Sequence, residues 1–225
     1  MIIQADHIYK SYGKAKSTFQ ALNDVNLAVE AGESIAITGK SGSGKSTLMH
    51  LLALLDRPTS GEIIVGGRKS SSLKREQLDR FRNRDFGFVF QQFFLNAHES
   101  VLSNVILPLK IAGVPAKERT RRGMEVLQAV ELEDKAANNA SDLSGGQKQR
   151  VCIARALINN PKIIFADEPT GNLDSKTGQK IEDLLFKLNK EHDITLIVVT
   201  HDPDLAARCD RQVIMTDGKV AGERK

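Results

Sequence analysis

Nine consecutive residues, Gly39-Lys40-Ser41-Gly42-Ser43-Gly44-Lys45-Ser46-Thr47, carry the clearest chemical signal in this 225-residue chain. They match the spacing G-x-x-x-x-G-K-[ST], and both flanks suit it. An apolar, β-branched run over 34–38 precedes them and a helix-period segment over 45–55 follows. Glycines let the backbone turn sharply, so that successive N–H groups point into one hollow. A helix beginning here adds about half a positive charge facing the same hollow. Lys45 would reach β- and γ-phosphates, and the Ser46 hydroxyl is a hard oxygen suited to Mg²⁺. The expected chemistry is nucleotide-phosphate binding. The loop alone leaves GTPases, kinases, helicases and transport ATPases open. Asn189-Lys190-Glu191-His192 falls one residue short of the guanine-reading N-K-x-D and sits at a helix end, so it adds nothing to a GTPase reading.

Those residues need a scaffold. Three short apolar runs, 34–38, 163–166 and 195–199, have the pattern of buried parallel strands. Helix-period segments over 45–55, 145–159 and 176–190 alternate with them, which predicts an α/β P-loop NTPase core with a parallel sheet. Residues 2–37 and 61–68 read as β-rich, with turns at Gly13, Gly32 and Gly66-Gly67, and predict an N-terminal antiparallel β subdomain. Residues 92–143 are charged and helical, amphipathic over 117–130, with no convincing parallel strand. They are expected to form a helical subdomain inserted into a core made of 1–91 and 144–225.

Composition narrows the class further. Hydrophobic residues at 40% and charged residues at 27% place the chain with globular proteins and away from disordered ones. No apolar run approaches the roughly 18 to 20 residues of a membrane helix, and the N-terminus lacks a basic start and a signal core. A cytoplasmic protein is expected. The net charge of +4 suits an anionic ligand or a membrane surface. No basic tract is interleaved with aromatic residues, so no nucleic-acid partner is expected. Cys152 and Cys209 stand far apart without metal-type spacing and read as reduced, packed thiols.

Leu143-Ser144-Gly145-Gly146-Gln147 decides between the open classes. Locally, Ser144 and Gln147 form the pattern of a capping box, and Val151, Ala154, Leu157 and Ile158 mark a packed helix face. A capped helix start bearing two glycines is also a bare anion-binding surface. With this motif the chain resembles the ATP-binding-cassette (ABC) ATPases over essentially its whole length. The resemblance implies that residues 144–147 cover the γ-phosphate of an ATP held by the phosphate loop of another subunit, in a head-to-tail homodimer with two ATP molecules in its interface.

The other family motifs follow in order. Lys162-Ile163-Ile164-Phe165-Ala166-Asp167-Glu168-Pro169 resembles the Walker B strand, which implies that Asp167 orients Mg²⁺ and that Glu168 is the general base for the attacking water. Phe86-Gly87-Phe88-Val89-Phe90-Gln91 resembles the Q-loop, with Gln91 sensing metal and water. Asn172-Leu173-Asp174 resembles the D-loop that crosses the dimer interface, although Asp174 alone reads as a helix N-cap. Val198-Val199-Thr200-His201-Asp202 resembles the switch-histidine loop, with His201 on the γ-phosphate. Lys10-Ser11-Tyr12-Gly13 matches the family's aromatic loop, which implies that Tyr12 stacks on adenine; Tyr9 is either a core residue or a second candidate.

Leu55-Asp56-Arg57-Pro58-Thr59-Ser60-Gly61-Glu62, Asp167-Glu168-Pro169-Thr170-Gly171-Asn172-Leu173-Asp174 and Thr200-His201-Asp202-Pro203 resemble the lipoprotein-releasing and macrolide-exporter subgroup. The implied function is an ATP-hydrolysing subunit that powers a membrane permease on a separate chain, at the inner face of the membrane. A regulator acting through a membrane protein on cell-division or cell-wall enzymes, with no cargo, fits the same motifs. The subgroup usually continues after the Q-loop with Leu-Pro and then Thr-x-x-Glu-Asn-Val. Here the segment is Phe94-Leu95-Asn96-Ala97-His98-Glu99-Ser100-Val101-Leu102-Ser103-Asn104-Val105. The departure falls where the family meets its permease and leaves the ATP motifs intact. Cys152 stands where alanine is usual and reads as a packing variant.

Overall fold

The computed structural model describes residues 1–13 and 18–224, and the chain divides into two compact units, Met1–Asp79 with Thr195–Lys225, and Arg80–Ile194. The first unit holds a four-stranded antiparallel sheet in the order β2-β1-β4-β5. Its strands are β1 (Ile3–Tyr12), β2 (Phe19–Val29), β4 (Ser60–Val65) and β5 (Arg68–Lys69). The same unit holds β3 (Ser34–Thr38), β8 (Thr195–Val199), β9 (Arg211–Thr216) and β10 (Lys219–Arg224). β3 runs parallel to β8 and β9, while β9 and β10 form an antiparallel hairpin. All five β8 residues and four of the five in β3 are buried, as expected of strands covered on both faces.

Helix α1 (Lys45–Leu52) buries Leu48, Met49, Leu51 and Leu52. It stops three residues earlier than the sequence periodicity suggests. Ala53 caps it, Leu54 takes a left-handed φ of 55°, and the Leu55 N–H returns to the His50 carbonyl. That tight exit aims Asp56 back toward β1. The hairpin β9–β10 lies outside the sequence-based outline, although its turn Asp217-Gly218 has positive φ at both residues, the standard two-residue hairpin signal. Among the described residues no helix is long and apolar enough to cross a membrane.

Helix α2 (Arg75–Asp85) carries the chain into the second unit. There β6 (Phe86–Phe90) and β7 (Ile163–Asp167) pair in parallel, with Phe86 opposite Ile163 and Phe90 opposite Asp167. Residues 101–129 fold into α3 (Val101–Val105), α4 (Leu107–Ile111) and α5 (Ala116–Ala129). They are followed by α6 (Gly145–Leu157) and α7 (Ser175–His192). The helix α7 closes on Asp193 at a left-handed φ of 52°. Helix α6 ends two residues before the expected 159, and Asn160 is left-handed at φ 52°. In the altered segment after the Q-loop, the buried Asn104 amide donates to the Asn96 and Ser100 carbonyls and accepts from the Asn96 N–H. Those bonds order the segment without the usual proline.

Phe165 is fully buried at the centre of an aromatic cluster. Its ring stacks on Phe88 at 5.7 Å and meets Phe86 edge-on at 5.2 Å. The cluster clamps the registered pair of strands whose next residues are Gln91 and Glu168. Phe165→Ala should lower the free energy of unfolding by about 3–5 kcal/mol, read from denaturant melts; a loss below about 1 kcal/mol would show that this cluster does not anchor the strands.

Candidate functional site

In the first unit, β3 feeds directly into the phosphate loop. Gly44 is the N-cap of α1 at φ 100°, and the first turn of α1 has no acidic residue, so the helix start keeps its positive end bare. A Cβ on Gly44 would lie 2.7 Å from the Ala21 carbonyl oxygen and 2.9 Å from Leu22 Cδ2. The position therefore excludes a side chain both by conformation and by space. Lys45 lies along the loop, its Nζ donating to the Gly39 carbonyl at 2.9 Å and the Lys40 carbonyl at 3.0 Å. Ser43 Oγ is buried without a hydrogen-bond partner, and a Cβ on Gly39 would lie 2.8 Å from it. Lys40, Ser41 and Ser46 are exposed, and Gly42 has a positive φ of 78°.

His201 belongs to this unit. β3 and β8 are in register with Ile37 opposite Val199, and the Thr200 N–H donates to the Ile37 carbonyl. Gly39 and His201 therefore leave the sheet at the same strand ends, where open α/β sheets bind ligands. Thr200 is buried. Asp202 follows as N-cap of α8 (Pro203–Ala207), accepting from the Asp204 and Leu205 N–H groups, so exposed His201 is braced on both sides. Tyr12 ends β1 with 41% of its surface exposed, and its hydroxyl donates to Asp56 Oδ2 at 3.0 Å. Burial first, and then the Asp56 carboxylate, raise its phenol above the ordinary range. Tyr9 pairs with Ser60 of β4.

In the second unit, the β6–β7 register places Gln91 and Glu168 one step beyond the pair Phe90 and Asp167. Asp167 is thus the last strand residue and Glu168 the first outside it. Glu168 takes a left-handed φ of 45°, which costs a non-glycine residue roughly 1–2 kcal/mol, and its carbonyl accepts from the Gly171 N–H. Gln91 is tied to the following loop from both ends. Its Nε2 donates to Asn172 Oδ1 at 3.4 Å, and Asn172 Nδ2 donates to the Gln91 carbonyl at 2.8 Å. Asp174 caps α7 by accepting from the Thr177 N–H at 3.0 Å. Hydrogen bonds from the Thr177 side chain and backbone hold its carboxyl below the usual range.

Ser144 is the N-cap of α6 and the capping box forms. The Gln147 N–H donates to Ser144 Oγ, and Gln147 Oε1 accepts from the Ser144 N–H at 2.9 Å. The side chain of Gln147 is thereby engaged, while the first turn of α6 contains no acid. A Cβ on Gly146 would run into Thr177 Cγ2 of α7, so this helix start too is kept bare by packing. A cleft of about 520 Å³ opens beside it, lined by Ser144, Gly146, Gln147, Arg150, Thr177 and Lys180 among others.

Two supporting residues lie outside the sequence-based set. Asn172 was legible only as part of a motif, and its bonds to Gln91 come from the fold. Gln149 is buried on α6, and its Nε2 donates to the Pro169 carbonyl at 2.6 Å, tying the helix to the turn after β7. A polar residue on a packed helix face was the available signal. Cys152 is buried, burial pushes its thiol up to about 11, and Sγ lies 3.1 Å from the Phe93 carbonyl; burial likewise raises Cys209 to about 12. Both stay protonated and unreactive near neutral pH.

Comparison with known proteins settles the class. The model of the family described as "ABC transporter" matches residues 22–171. This chain belongs to the ABC transporter family. It is similar, at 44% identity over 219 residues, to the lipoprotein-releasing system ATP-binding protein LolD of Syntrophus aciditrophicus, covering 97% of this chain and 98% of that one. The uncharacterized ABC transporter ATP-binding protein YknY of Bacillus subtilis is 46% identical over 219 residues, covering 97% and 95%. Among solved structures, the dimeric post-hydrolysis state of the ATP-binding cassette MJ0796 with ADP and Pi aligns at a TM-score of 0.90 and 44% identity. It covers 99% of this chain and 98% of that one. The α/β P-loop fold with its antiparallel β portion is therefore that of an ABC ATPase, and ATP hydrolysis is its activity.

In this ATPase, Gly44→Ala should reduce ADP affinity at least about tenfold, because an alanine at φ 100° and in contact with Ala21 must displace the loop. Calorimetric titration with ADP reads the loss; unchanged affinity at unchanged far-ultraviolet circular dichroism would show that the bare cap is not required.

Proposed function

We propose that this chain is the ATP-hydrolysing subunit of a membrane complex, working as a head-to-tail homodimer on a permease carried by a separate chain at the inner face of the membrane. The observation that carries this reading is the pair of glycine-bearing, acid-free helix starts, at α1 and at α6, within one ABC ATPase. One belongs to a phosphate loop, and the other has no phosphate loop of its own. In a head-to-tail dimer, Ser144, Gly145, Gly146 and Gln147 of one subunit close over the γ-phosphate of ATP held by the other. The full-length likeness to LolD supports a cargo-exporting or force-transmitting complex of the lipoprotein, macrolide or antimicrobial-peptide type.

Residue roles follow from chemistry and placement. The loop from Gly39 to Thr47 wraps the phosphates with backbone N–H groups and Lys45. Tyr12 stacks on the adenine. Mg²⁺ bound with the nucleotide would take Ser46, Asp167 and Gln91 as its protein-side oxygens. Bound there, Mg²⁺ offsets phosphate charge. Glu168, turned out of the strand by its left-handed backbone, takes a proton from the attacking water. Gln91 orients that water, His201 holds the γ-phosphate, and Asp174 lies at the subunit boundary. Nucleotide at 100 times its Kd favours the closed state by about 2.7 kcal/mol per site. Hydrolysis removes that bias and lets the dimer reopen.

Glu168→Gln should bind ATP with near-normal affinity and lose turnover by a factor of about 10² to 10⁴. It should also accumulate an ATP-dependent dimer, resolved by size-exclusion chromatography with light scattering. Wild-type hydrolysis rates in that variant would sink the base assignment, and a species that stays monomeric with ATP would sink the dimer.

A further inference from the structure

Tyr12 is the exposed member of a cluster built from β1 and the chain just after α1. Lys10 and Tyr12 stand two residues apart on one strand, so their side chains share a face. The Lys10 side chain is only 11% exposed, and its Nζ lies over the Tyr12 ring, 4.8 Å from the centroid. The same ammonium donates to Asp56 Oδ2 at 2.7 Å and to the Arg57 carbonyl at 2.7 Å. Asp56 Oδ2 accepts the Tyr12 hydroxyl proton as well, while its Oδ1 accepts from the Arg57 N–H at 2.7 Å.

This arrangement is costly unless it does something. An ammonium taken largely out of water must be compensated, and here a carboxylate, a carbonyl and a π-face together do so. Burial works against charge on Asp56, yet bonds from Lys10, the Arg57 N–H and Tyr12 keep its carboxyl below the usual range, so it remains an acceptor. The consequence for Tyr12 is loss of freedom. Its hydroxyl is tethered at the tip and the Lys10 ammonium lies over one ring face, while 41% of the residue's surface stays exposed. A ring ordered beforehand gives up little rotamer entropy when a base stacks on it.

We propose that Lys10 and Asp56 are positioning residues for the nucleotide base, fixing the Tyr12 ring from behind and at its hydroxyl so that its free face meets the adenine already oriented. The proposal rests on the reading of Tyr12 as the stacking residue. It assigns a role in base affinity to two residues that touch neither base nor phosphate.

The test separates base from phosphate by titrating ADP and inorganic pyrophosphate into wild type, Tyr12→Ala, Lys10→Met, Asp56→Asn and Lys10→Arg. Lys10→Met and Asp56→Asn should weaken ADP binding about 3- to 10-fold and leave pyrophosphate binding unchanged. Lys10→Arg should restore ADP affinity, because a guanidinium also stacks and pairs with a carboxylate. Lys10→Met added to Tyr12→Ala should cause no further loss. In steady state, KM for ATP should rise in the same proportion while kcat at saturation holds. Wild-type ADP affinity in Lys10→Met and Asp56→Asn, alongside a loss in Tyr12→Ala, would overturn the positioning role. Equal losses for ADP and pyrophosphate would overturn it too, since that pattern marks general damage to the loop. If Tyr12→Ala itself binds ADP normally, the stacking reading beneath the proposal fails instead.

Discussion

Backbone N–H groups at the start of α1 must reach a polyanion with no side chain in between, and most of the first unit is arranged around that requirement. Gly44 sits where a Cβ would strike the Ala21 carbonyl, and its φ of 100° is disfavoured for other residues. The bare helix end therefore depends on how closely β2 passes behind the loop. The start of α6 meets the same requirement differently. There the helix is capped by Ser144 and Gln147, and Thr177 of the neighbouring helix leaves no room for a Cβ on Gly146. Two unrelated local solutions give the same electrostatic result, an exposed positive helix end without an acid beside it.

Parallel strand pairing determines which chemical groups emerge together. Residues that follow a registered pair leave the sheet at one edge, so the β3–β8 register sets Gly39 beside the strand end that carries His201. The β6–β7 register does the same for Gln91 and Glu168. A slip of one residue in either pair would turn these side chains to the other face. The fully buried strands and the Phe86–Phe88–Phe165 cluster oppose such slips. Core packing thus enters the chemistry through register.

Much of this was legible in the residues themselves. The phosphate loop, the capping box and the strand runs depend on residues adjacent or a few positions apart, and local spacing reports them faithfully. Element ends were less legible. Helix α1 stops at Leu52 because the chain turns at Leu54, and α7 runs on to His192 until Asp193 closes it. The hairpin β9–β10 is less legible despite its Asp217-Gly218 turn, because its strands are half-buried and alternate, a weaker signal than a continuous apolar run.

Residue type and short-range spacing already carry the local devices: glycines where a backbone must be bare, a cap where a helix must start, and carboxylates at a strand end. These amount to an ABC ATPase because each device is complete within a short window. How distant side chains support them depends on the folded chain. Tyr12 and Asp56 are 44 residues apart, Gln91 and Asn172 are 81 apart, and Gln149 reaches a carbonyl 20 residues away. No local spacing encodes such bonds, since they exist only once register and packing have brought the partners within about 3 Å. The aromatic platform shows the division most plainly: the sequence displays a lysine and a tyrosine two residues apart before a glycine, and the fold adds the aspartate, 44 residues on, that holds both.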